Sequence, residues 1–391
     1  MRLLLTLMLC LSLCTSPKLS LLLQADTEPA APLSLTAPSY LLMEASTGTV
    51  ICEKDSHTRM RPASITKIMT LILIFDALEK GSIQLTDTIT VSEYAASMGG
   101  SQVFLEPGEI QTVETMIKCI SVASANDACV AMAEHISGSE TAFVEQMNAR
   151  AKALHMDDTT FVNCCGLDVD GHMTSAHDVA LMSRELITRY PQIHDYCTIW
   201  MENIIHETAR GSSEFGLTNT NKLIRQYPYA TGLKTGFTNQ AMYCISATAK
   251  KDGVELIAVI MGAPNFKTRQ KDATALLNYG FSSCQVYTDK NEDTLPVLPV
   301  TGGLENSVGL HYEGSFSYLD TTGANLASIE KKFELPDSVK APVKKNQEAG
   351  NAIYLLDGKK IGSVRLLYSQ SVGQAGYADY LLKTLKEFFS I

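Results

Sequence analysis

The sequence lacks the excess of basic residues that nucleic-acid-binding proteins carry. Its 391 residues include 32 Lys and Arg against 42 Asp and Glu, which gives a net charge of −10. A chain with this balance has no broad positive surface to neutralise phosphate groups, so we predict no nucleic-acid partner. Low-complexity tracts and long internal repeats are also missing. With 45% hydrophobic and 19% charged residues, the composition is instead that of a globular protein with a large core.

Metal-binding patterns are missing as well. The eight histidines form no H-E-x-x-H pattern, and no two cysteines have C-x-x-C spacing. The segment Asp168 to Gly171 begins like a calcium loop but lacks the later glycine and glutamate of an EF-hand, so a surface turn is the simpler interpretation. Most of the ten cysteines have apolar neighbours, which is typical of buried thiols. We therefore predict neither a metal ion nor a cofactor.

The N-terminal apolar run is too short to cross a bilayer. It follows Arg2 and extends from Leu3 to Leu13, which is the size of the hydrophobic part of a secretory signal. We place a signal peptide at residues 1–25, with cleavage after Ala25. The mature protein is therefore expected to be exported.

The rest of the chain shows patterns typical of strands and helices. A hairpin is predicted from the apolar runs 40–43 and 49–52, and a helix from Pro62 to near Gly81. This helix is apolar on nearly every side, so it is expected in the protein interior. Further helices are predicted over 127–135, 176–190 and 269–279, and strands over 232–238, 242–250 and 254–262. The turn Asp252-Gly253 indicates a hairpin in an antiparallel sheet.

The composition changes after about Cys284. From there to residue 370 the chain has more Gly, Pro, Asp and Lys and short alternating segments, which predicts a small all-β domain at 285–370. Residues 375–391 then have apolar side chains at helical spacing: Tyr377, Leu381, Leu385 and Phe388. We predict that this amphipathic helix binds a membrane surface, and docking on its own β-domain is the alternative.

Two polar residues at the start of the apolar helix suggest nucleophilic chemistry. Ser64 and Lys67 are three positions apart, so on a helix they share one face. A serine hydroxyl needs a base to become a nucleophile, and a neutral lysine amine can serve. Lowering a lysine pKa from about 10.4 to near 7 costs roughly 4–5 kcal/mol, which burial and a second cation can supply. The motif is weak alone, because Ser328 and Lys331 have the same spacing.

Two further elements give the first one its context. Ser124-Ala125-Asn126 directly precedes a predicted helix. In an extended connection, residues two apart project to the same side, so Ser124 and Asn126 can face one site. Without the other motifs, this segment would be an ordinary helix cap. Lys234-Thr235-Gly236 lies on a predicted strand, where a lysine can reach a substrate anion and a glycine lets a ligand approach the backbone. Alone, Lys234 would be a solvated strand residue. The three elements in this order are far more specific than any one of them.

Together these motifs resemble the exported serine D-alanyl-D-alanine carboxypeptidases, the low-molecular-mass penicillin-binding proteins. The similarity covers roughly residues 36 to 391 and includes Gly166-Leu167, Gly171-His172 and the trailing β-domain with its terminal helix. It implies an α/β (α+β) fold: a β-lactamase/transpeptidase-like catalytic domain at 36–284 with an antiparallel sheet and helices, then the all-β domain and the amphipathic helix. It also implies a location at the outer face of the cytoplasmic membrane or in the cell wall.

The resemblance implies a role for each matching residue. Ser64 would attack the bond between two D-alanines of a peptidoglycan stem peptide and form an acyl-enzyme, and β-lactam antibiotics would label it covalently. Lys67 would take the serine proton, and Ser124 would pass a proton to the leaving amine. Asn126 would hold the substrate amide, and Lys234 would bind the terminal carboxylate.

The remaining implied roles belong to the Lys-Thr-Gly element and one arginine. Thr235 would help to bind the carboxylate beside Gly236, and the backbone N–H groups of Ser64 and Phe237 would form the oxyanion hole. Relatives often have histidine where Phe237 stands, which could alter substrate preference. Arg269 is a further candidate for carboxylate binding, although a surface arginine is the commoner case.

Two other functions compete with this one. A class A-like β-lactamase shares the three elements but needs a glutamate that positions water, and the segment Glu214 to Asn219 only half resembles that element. The other alternative is a non-catalytic peptidoglycan-binding or sensor scaffold. The presence of all the expected side chains argues against it.

Overall fold

The structure, a computed structural model, describes residues 33–389. The signal-peptide prediction for residues 1–25 lies outside these residues, and so does Ile391.

A five-stranded antiparallel sheet forms the centre of the N-terminal part. The strands of this part are β1 (Ser39–Glu44), β2 (Val50–Lys54), β3 (Thr88–Thr90), β4 (Ile110–Thr112), β5 (Met201–Thr208), β6 (Gly211–Thr218), β7 (Ala230–Thr238), β8 (Met242–Lys251) and β9 (Val254–Ala263). The central sheet has the order β2-β1-β9-β8-β7, and the two-stranded sheet β3–β4 and the hairpin β5–β6 lie outside it. The predicted antiparallel sheet is therefore confirmed, whereas the hairpin β5–β6 was not predicted.

Helices cover both faces of this sheet. They are α1 (Lys67–Glu79), α2 (Glu93–Ala96), α3 (Val113–Lys118), α4 (Asn126–Ser137), α5 (Glu140–Ala153), α6 (Ala176–Arg189), α7 (Ile193–Cys197), α8 (Leu223–Gln226) and α9 (Phe266–Ser283), with a 3₁₀ turn at Ala63–Thr66 and a π-helical turn at Cys119–Ala123. Alternate residues of β9 divide between the two faces: Val259 packs in the core that contains α1, and Ile260 packs in the core that contains α9. The sequence of β9 is therefore a continuous apolar run, because both faces of the strand are buried.

Helix α1 crosses the protein interior, as its sequence predicts. Every residue from Lys67 to Ala77 is buried. The helix does not begin near Pro62, however, because a 3₁₀ turn occupies Ala63–Thr66 and α1 starts only at Lys67. In a 3₁₀ turn residues three apart lie almost directly above one another, so the side chain of Ser64 is close to that of Lys67.

The hairpin between β8 and β9 forms as the Asp-Gly turn predicts. Asp252 and Gly253 have φ angles of 49° and 83°. Positive φ at both central residues is what a type I′ turn requires, and this turn matches the right-handed twist of the paired strands.

The C-terminal part consists of small β-sheets, in agreement with the composition. Its strands are β10 (Gln285–Asp289), β11 (Leu298–Thr301), β12 (Ser307–Val308), β13 (Leu310–Tyr312), β14 (Phe316–Asp320), β15 (Glu330–Glu334), β16 (Val339–Lys340), β17 (Glu348–Leu356) and β18 (Lys359–Tyr368). The largest of these sheets has the order β13-β18-β17-β15. The rings of Phe316 and Tyr354 stack with centroids 3.8 Å apart and join β14 to β17.

Helix α10 (Tyr377–Phe389) follows the β-sheets. The apolar side chains of Tyr377, Leu381, Leu382 and Leu385 are exposed on it. Among the helices of residues 33–389, none combines the length and the apolar composition that crossing a membrane requires.

Candidate active site

Ser64 and Lys67 meet at the start of α1. The ammonium group of Lys67 donates hydrogen bonds to Ser64 Oγ at 3.1 Å, to Asn126 Oδ1 at 2.7 Å and to the backbone oxygen of Cys165 at 2.8 Å. Lys67 is fully buried, whereas Ser64 is partly exposed. The arrangement therefore presents an accessible hydroxyl directly to a lysine that cannot reach solvent.

A strained backbone positions Ser64. The preceding residue, Ala63, has a φ angle of 48°, in the left-handed region that costs a residue with a side chain on the order of 1 kcal/mol or more. A loop crosses closely over it, because a Cβ on Gly166 would lie 1.8 Å from the oxygen of Ala63. Only glycine fits at position 166, and this close approach brings the neighbouring Cys165 carbonyl onto Lys67.

His172 supports the same turn, a role that the sequence analysis missed. Its Nδ1 accepts a hydrogen bond from the amide of Val162 at 2.9 Å, so the proton is on Nε2, which donates to Thr66 Oγ1 at 2.8 Å. Burial lowers the pKa of His172 to about 4, which keeps the ring neutral. The signal was present in the sequence as Gly171-His172, but no spacing rule connects it to Thr66.

Ser124 and Asn126 differ from the extended pair expected from the sequence. Ser124 ends the π-helical turn in a left-handed conformation, with φ 61° and ψ 34°, and Asn126 is the first residue of α4. The Asn126 amide bridges Lys67 and the carbonyl of Gly99, to which it donates at 2.6 Å. The Ser124 hydroxyl is buried without a hydrogen-bond partner within residues 33–389. It is therefore available to a bound molecule.

Lys234 is buried on β7, not solvated as its simpler interpretation held. It is 1% exposed, and its ammonium group donates to the backbone oxygen of Thr235 at 3.2 Å. Burial is the main cause that lowers the pKa of Lys234 to about 7, and the charge of Lys67 lowers it further. No carboxylate within the described part of the chain forms an ion pair with Lys234. A buried cation without a counter-ion is suited to bind an anion.

Thr235 connects the third element to the second. Its hydroxyl donates to Thr220 Oγ1 at 3.0 Å, and the amide of Thr220 donates to the oxygen of Val122, inside the turn that ends at Ser124. The loop after β6 thus ties β7 to the turn before α4. Sequence reasoning missed Thr220, which carries no motif.

Close packing gives Gly236 a second reason for being glycine, besides the ligand approach that the sequence analysis predicts. A Cβ at this position would lie 2.9 Å from the oxygen of Pro62 and 3.1 Å from the amide nitrogen of Ser64. The missing side chain therefore lets β7 pack directly against the turn that carries the serine. The approach that the structure shows is of protein backbone to protein backbone.

We expect Gly236→Ala to separate β7 from the Ser64 turn and to lower kcat/KM at least about 10-fold, since displacements near 1 Å at a reacting centre cost this much or more. The measurement is steady-state hydrolysis of a D-Ala-D-Ala peptide. Gly314→Ala is the matched control, because nothing lies within 4 Å of a Cβ there and Gly314 does not have the positive φ that disfavours alanine. Unchanged kinetics in Gly236→Ala would contradict this packing role.

Phe237 and Arg269 have contrasting environments. Phe237 is 48% exposed, and its ring lies 4.4 Å from that of Tyr243 between centroids. Arg269 is buried on α9 and donates to the oxygen of Cys244 at 3.3 Å. Burial lowers the pKa of Arg269 to about 10, and its charge in turn lowers the pKa of Lys234. Arg269 is thus no surface residue, and it contributes to the positive potential around Lys234.

The half-motif at Glu214 lies on the hairpin β5–β6. Glu214 is exposed on β6, where Asn203 donates to its carboxylate at 3.2 Å. Asn219 is buried and donates to the backbone oxygens of Cys197 and Ile199 at 3.0 and 2.7 Å. Both side chains are accounted for by these local contacts, as expected for a coincidental match.

Comparison with known proteins identifies the family. The family profile described as D-alanyl-D-alanine carboxypeptidase matches residues 25–265, and the one described as penicillin-binding protein 5, C-terminal domain, matches residues 288–374. The chain belongs to the D-alanyl-D-alanine carboxypeptidase family. It is a serine peptidase, and the resemblance inferred from its motifs is confirmed.

Individual relatives agree with this assignment. D-alanyl-D-alanine carboxypeptidase DacF of Bacillus subtilis (strain 168) is 39% identical over 364 residues, covering 93% of this chain and 92% of the relative. Penicillin binding protein 5 from Haemophilus influenzae matches in structure with a TM-score of 0.74 and 30% identity, covering 88% of this carboxypeptidase and all of that chain. Penicillin-binding protein D2 from Listeria monocytogenes, solved in an ampicillin-bound form, has a TM-score of 0.54 and 28% identity, covering 64% of this chain and 99% of that one.

Proposed function

We propose that this carboxypeptidase removes the terminal D-alanine from peptidoglycan stem pentapeptides through an acyl-enzyme on Ser64. The observation that carries the proposal is the 3.1 Å hydrogen bond between Lys67 Nζ and Ser64 Oγ at the start of a buried helix. In its neutral form the Lys67 amine accepts the hydroxyl proton as Ser64 Oγ attacks the carbonyl carbon between the two D-alanines. The Cys165 carbonyl and the Asn126 side chain hold the amine in place for this transfer.

The leaving amine needs a proton as its bond to the carbonyl carbon breaks. The unpartnered Ser124 hydroxyl is suited to relay one from Lys67, and D-alanine then departs. Backbone N–H groups of Ser64 and Phe237 stabilise the oxyanion in this proposal, and such donors are each worth about 10²–10³ in rate. Water subsequently hydrolyses the ester and restores Ser64.

Lys234 binds the terminal carboxylate of the peptide in this proposal, with Thr235 beside it. The carboxylate supplies the counter-ion that the buried ammonium lacks. Arg269 acts more remotely, because its side chain donates to the Cys244 carbonyl and adds positive charge near Lys234. The exposed ring of Phe237 borders the position of the stem peptide and would influence which peptides are accepted.

Mass spectrometry of peptidoglycan fragments tests the reaction directly. After incubation with the purified protein, we expect pentapeptide stems to lose one alanine and become tetrapeptides. Loss of cross-linked fragments in parallel would show endopeptidase activity in addition. Intact pentapeptides in the presence of a folded protein would favour the non-catalytic binding or sensor scaffold.

Covalent binding of β-lactams follows from the same chemistry. A β-lactam carries a strained amide and a carboxylate, so it can occupy the positions proposed for the scissile bond and the peptide terminus. The ampicillin-bound Listeria relative supports this proposal. The exposed position of Glu214 on a separate hairpin gives no support to the β-lactamase alternative, which requires a glutamate beside the acyl-enzyme.

We also propose that the protein is exported and acts at the outer face of the cytoplasmic membrane, as a catalytic domain at 36–284 and a β-domain at 285–370. The exposed apolar side chains of α10 support a helix that lies on the membrane surface. Of the four apolar positions on which this helix was predicted, the side chain of Phe388 lies outside the part of the chain that the structure describes, as does Ile391.

Truncation after Gly376 is expected to abolish sedimentation with anionic liposomes and to leave hydrolysis of a soluble peptide intact. The physical reason is that the removed helix carries the apolar surface, while the active site lies in the N-terminal domain. Leu381→Glu in the full-length chain should weaken sedimentation as well, whereas Asp379→Asn on the polar side should not. Loss of the folded β-domain on truncation, or failure of the intact protein to sediment, would make the helix a packing element.

A further inference from the structure

Behind the active-site loop, the fold gathers the sulfur atoms of several cysteines beside one carboxylate. Cys164 and Cys165 are sequence neighbours in the loop between α5 and α6, and their Sγ atoms are 3.6 Å apart. A carboxylate oxygen of Glu140, the first residue of α5, lies with these two sulfurs so that all three atoms are within 4.8 Å of one another. The thiol of Cys129, on α4, is close enough to that of Cys165 for the two groups to influence each other's pKa.

We propose that Glu140, Cys164 and Cys165 form a binding site for a thiophilic divalent cation such as Zn²⁺, with Cys129 as an additional thiol next to it. Tetrahedral zinc binds sulfur at about 2.3 Å, which places two sulfur ligands about 3.8 Å apart. The observed Sγ separation of 3.6 Å is close to this value. Two thiolates and one carboxylate also supply enough negative charge to offset the charge of the ion.

The carboxylate is held for such a role by its own partners. Glu140 Oε1 accepts a hydrogen bond from the amide of Cys164 at 3.0 Å, and Oε2 accepts one from the hydroxyl of Tyr94 at 2.7 Å. Contacts of this kind orient metal ligands and maintain affinity. Glu140 is partly buried and Tyr94 is half exposed, so a cation can approach from this side. The three thiols are fully buried, which protects the site from competing water.

Binding exchanges protons for the metal. Two metal–sulfur bonds form, the S–H bonds of Cys164 and Cys165 break, and two protons pass to the buffer. The sulfur atoms stay reduced throughout, so neither an oxidant nor a reductant is needed. Affinity must therefore increase with pH as the thiol protons become easier to remove.

The proposed site is connected to the catalytic lysine through the backbone of the same two residues. The carbonyl of Cys165 accepts the hydrogen bond of Lys67, and the carbonyl of Cys164 accepts one from Thr70 Oγ1 at 2.6 Å. A cation on the two side chains would fix the loop that presents these carbonyls to α1. We therefore expect the metal-loaded protein to unfold at a higher temperature than the metal-free protein.

Titration of the reduced, full-length protein with Cd²⁺ tests the proposal, because cadmium thiolates have a charge-transfer absorption in the ultraviolet. We expect one ion per chain, competition by Zn²⁺, and a higher unfolding temperature. The double variant Cys164→Ala/Cys165→Ala should lose the absorption. Cys52→Ala/Cys284→Ala is the matched control, since it removes two thiols outside this cluster and should keep it.

Glu140→Gln provides a second variant that leaves the buried thiols in place. We expect it to weaken Cd²⁺ binding at least about 10-fold, with circular dichroism reporting that the fold is intact. The proposal is overturned if the reduced wild-type chain takes up no Cd²⁺, or if the absorption survives in the double cysteine variant. A Cys164–Cys165 disulfide in protein isolated without reductant, with no uptake after reduction, overturns it as well.

Discussion

Ser64→Ala is expected to abolish covalent labelling by penicillin and to lower the release of D-alanine by on the order of 10⁴-fold or more, because the substitution removes the proposed nucleophile. In the wild-type protein, intact-mass measurement should show one penicilloyl adduct that persists for many minutes. We expect the adduct to persist because rapid deacylation needs a glutamate that positions water. Glu214, which lies in the partial β-lactamase match, is instead exposed on the β5–β6 hairpin.

The chain supplies its own control for this experiment. Ser328 and Lys331 repeat the Ser-x-x-Lys spacing, but Lys331 is held by the carboxylates of Asp289 and Asp293 at 2.8 and 2.5 Å. Hydrogen bonds to these carboxylates outweigh desolvation and raise the pKa of Lys331, so it stays charged and cannot act as a base. Ser328→Ala should therefore retain full labelling. Label on Ser64→Ala would refute the assignment, and rapid release of hydrolysed penicillin would favour a β-lactamase.

Lys234→Ala is expected to lower kcat/KM for a D-Ala-D-Ala peptide roughly 10²-fold, because loss of one partner leaves the substrate carboxylate in a buried position without a counter-charge. Lys234→Arg should restore activity only in part, since a planar guanidinium does not occupy the space of an ammonium group. Steady-state kinetics on a soluble peptide provides the measurement. Kinetics unchanged by the alanine substitution would exclude Lys234 from carboxylate binding.

The pH dependence of kcat/KM gives this prediction a second readout. In the proposed mechanism the substrate carboxylate binds the protonated form of Lys234, and burial lowers the pKa of this lysine to about 7. The protonated fraction therefore decreases as the pH rises above this value, and the contribution of Lys234 to binding decreases with it. Lys234→Arg stays charged, so its alkaline decline should occur at higher pH. Superimposable profiles for the two proteins would contradict the role.

The same lysine should reduce the stability of the protein. Its folded-state pKa is lowered to about 7 from an ordinary value of 10.5, so between these values the unfolded chain binds a proton that the folded chain has released. Stability contributed by this group consequently rises with pH through that interval. Lys234→Met should then raise the unfolding temperature at neutral pH by a few degrees while activity is lost.

Several elements of the fold were predictable because local physics determines them. An Asp-Gly pair between two apolar alternating runs favours a turn with positive φ, as Asp252 and Gly253 have, so the hairpin β8–β9 could be predicted from the sequence. Helix α1 was placed within the interior because a helix that is apolar all round must be buried. The 3₁₀ turn before it was not predictable, since it includes the positive φ of Ala63 and packs closely against Gly166 from a distant loop.

The candidate site shows the same division. The order and spacing of the three motifs were sufficient to recognise the family, and all three do contribute to a buried polar site. The sequence could not show that Asn126 contacts Lys67, that Gly236 packs on Ser64, or that Lys234 is buried. These facts depend on contacts between elements 59 or more positions apart, as for Lys67 and Asn126.

The sequence by itself determined the residue types available for catalysis and the family to which the chain belongs. Both can be read from short motifs, because a motif fixes the identity and the spacing of reactive side chains within a few residues. Tertiary structure decided the surroundings of the two Ser-x-x-Lys motifs: Lys67 is buried beside Ser64 among neutral oxygen acceptors, whereas two carboxylates hold Lys331. It also brought Glu140 to the sulfurs of Cys164 and Cys165, and no metal-binding spacing in the sequence indicates this cluster. Ionisation and metal affinity depend on dielectric environment and on neighbours in space, and folding alone creates both.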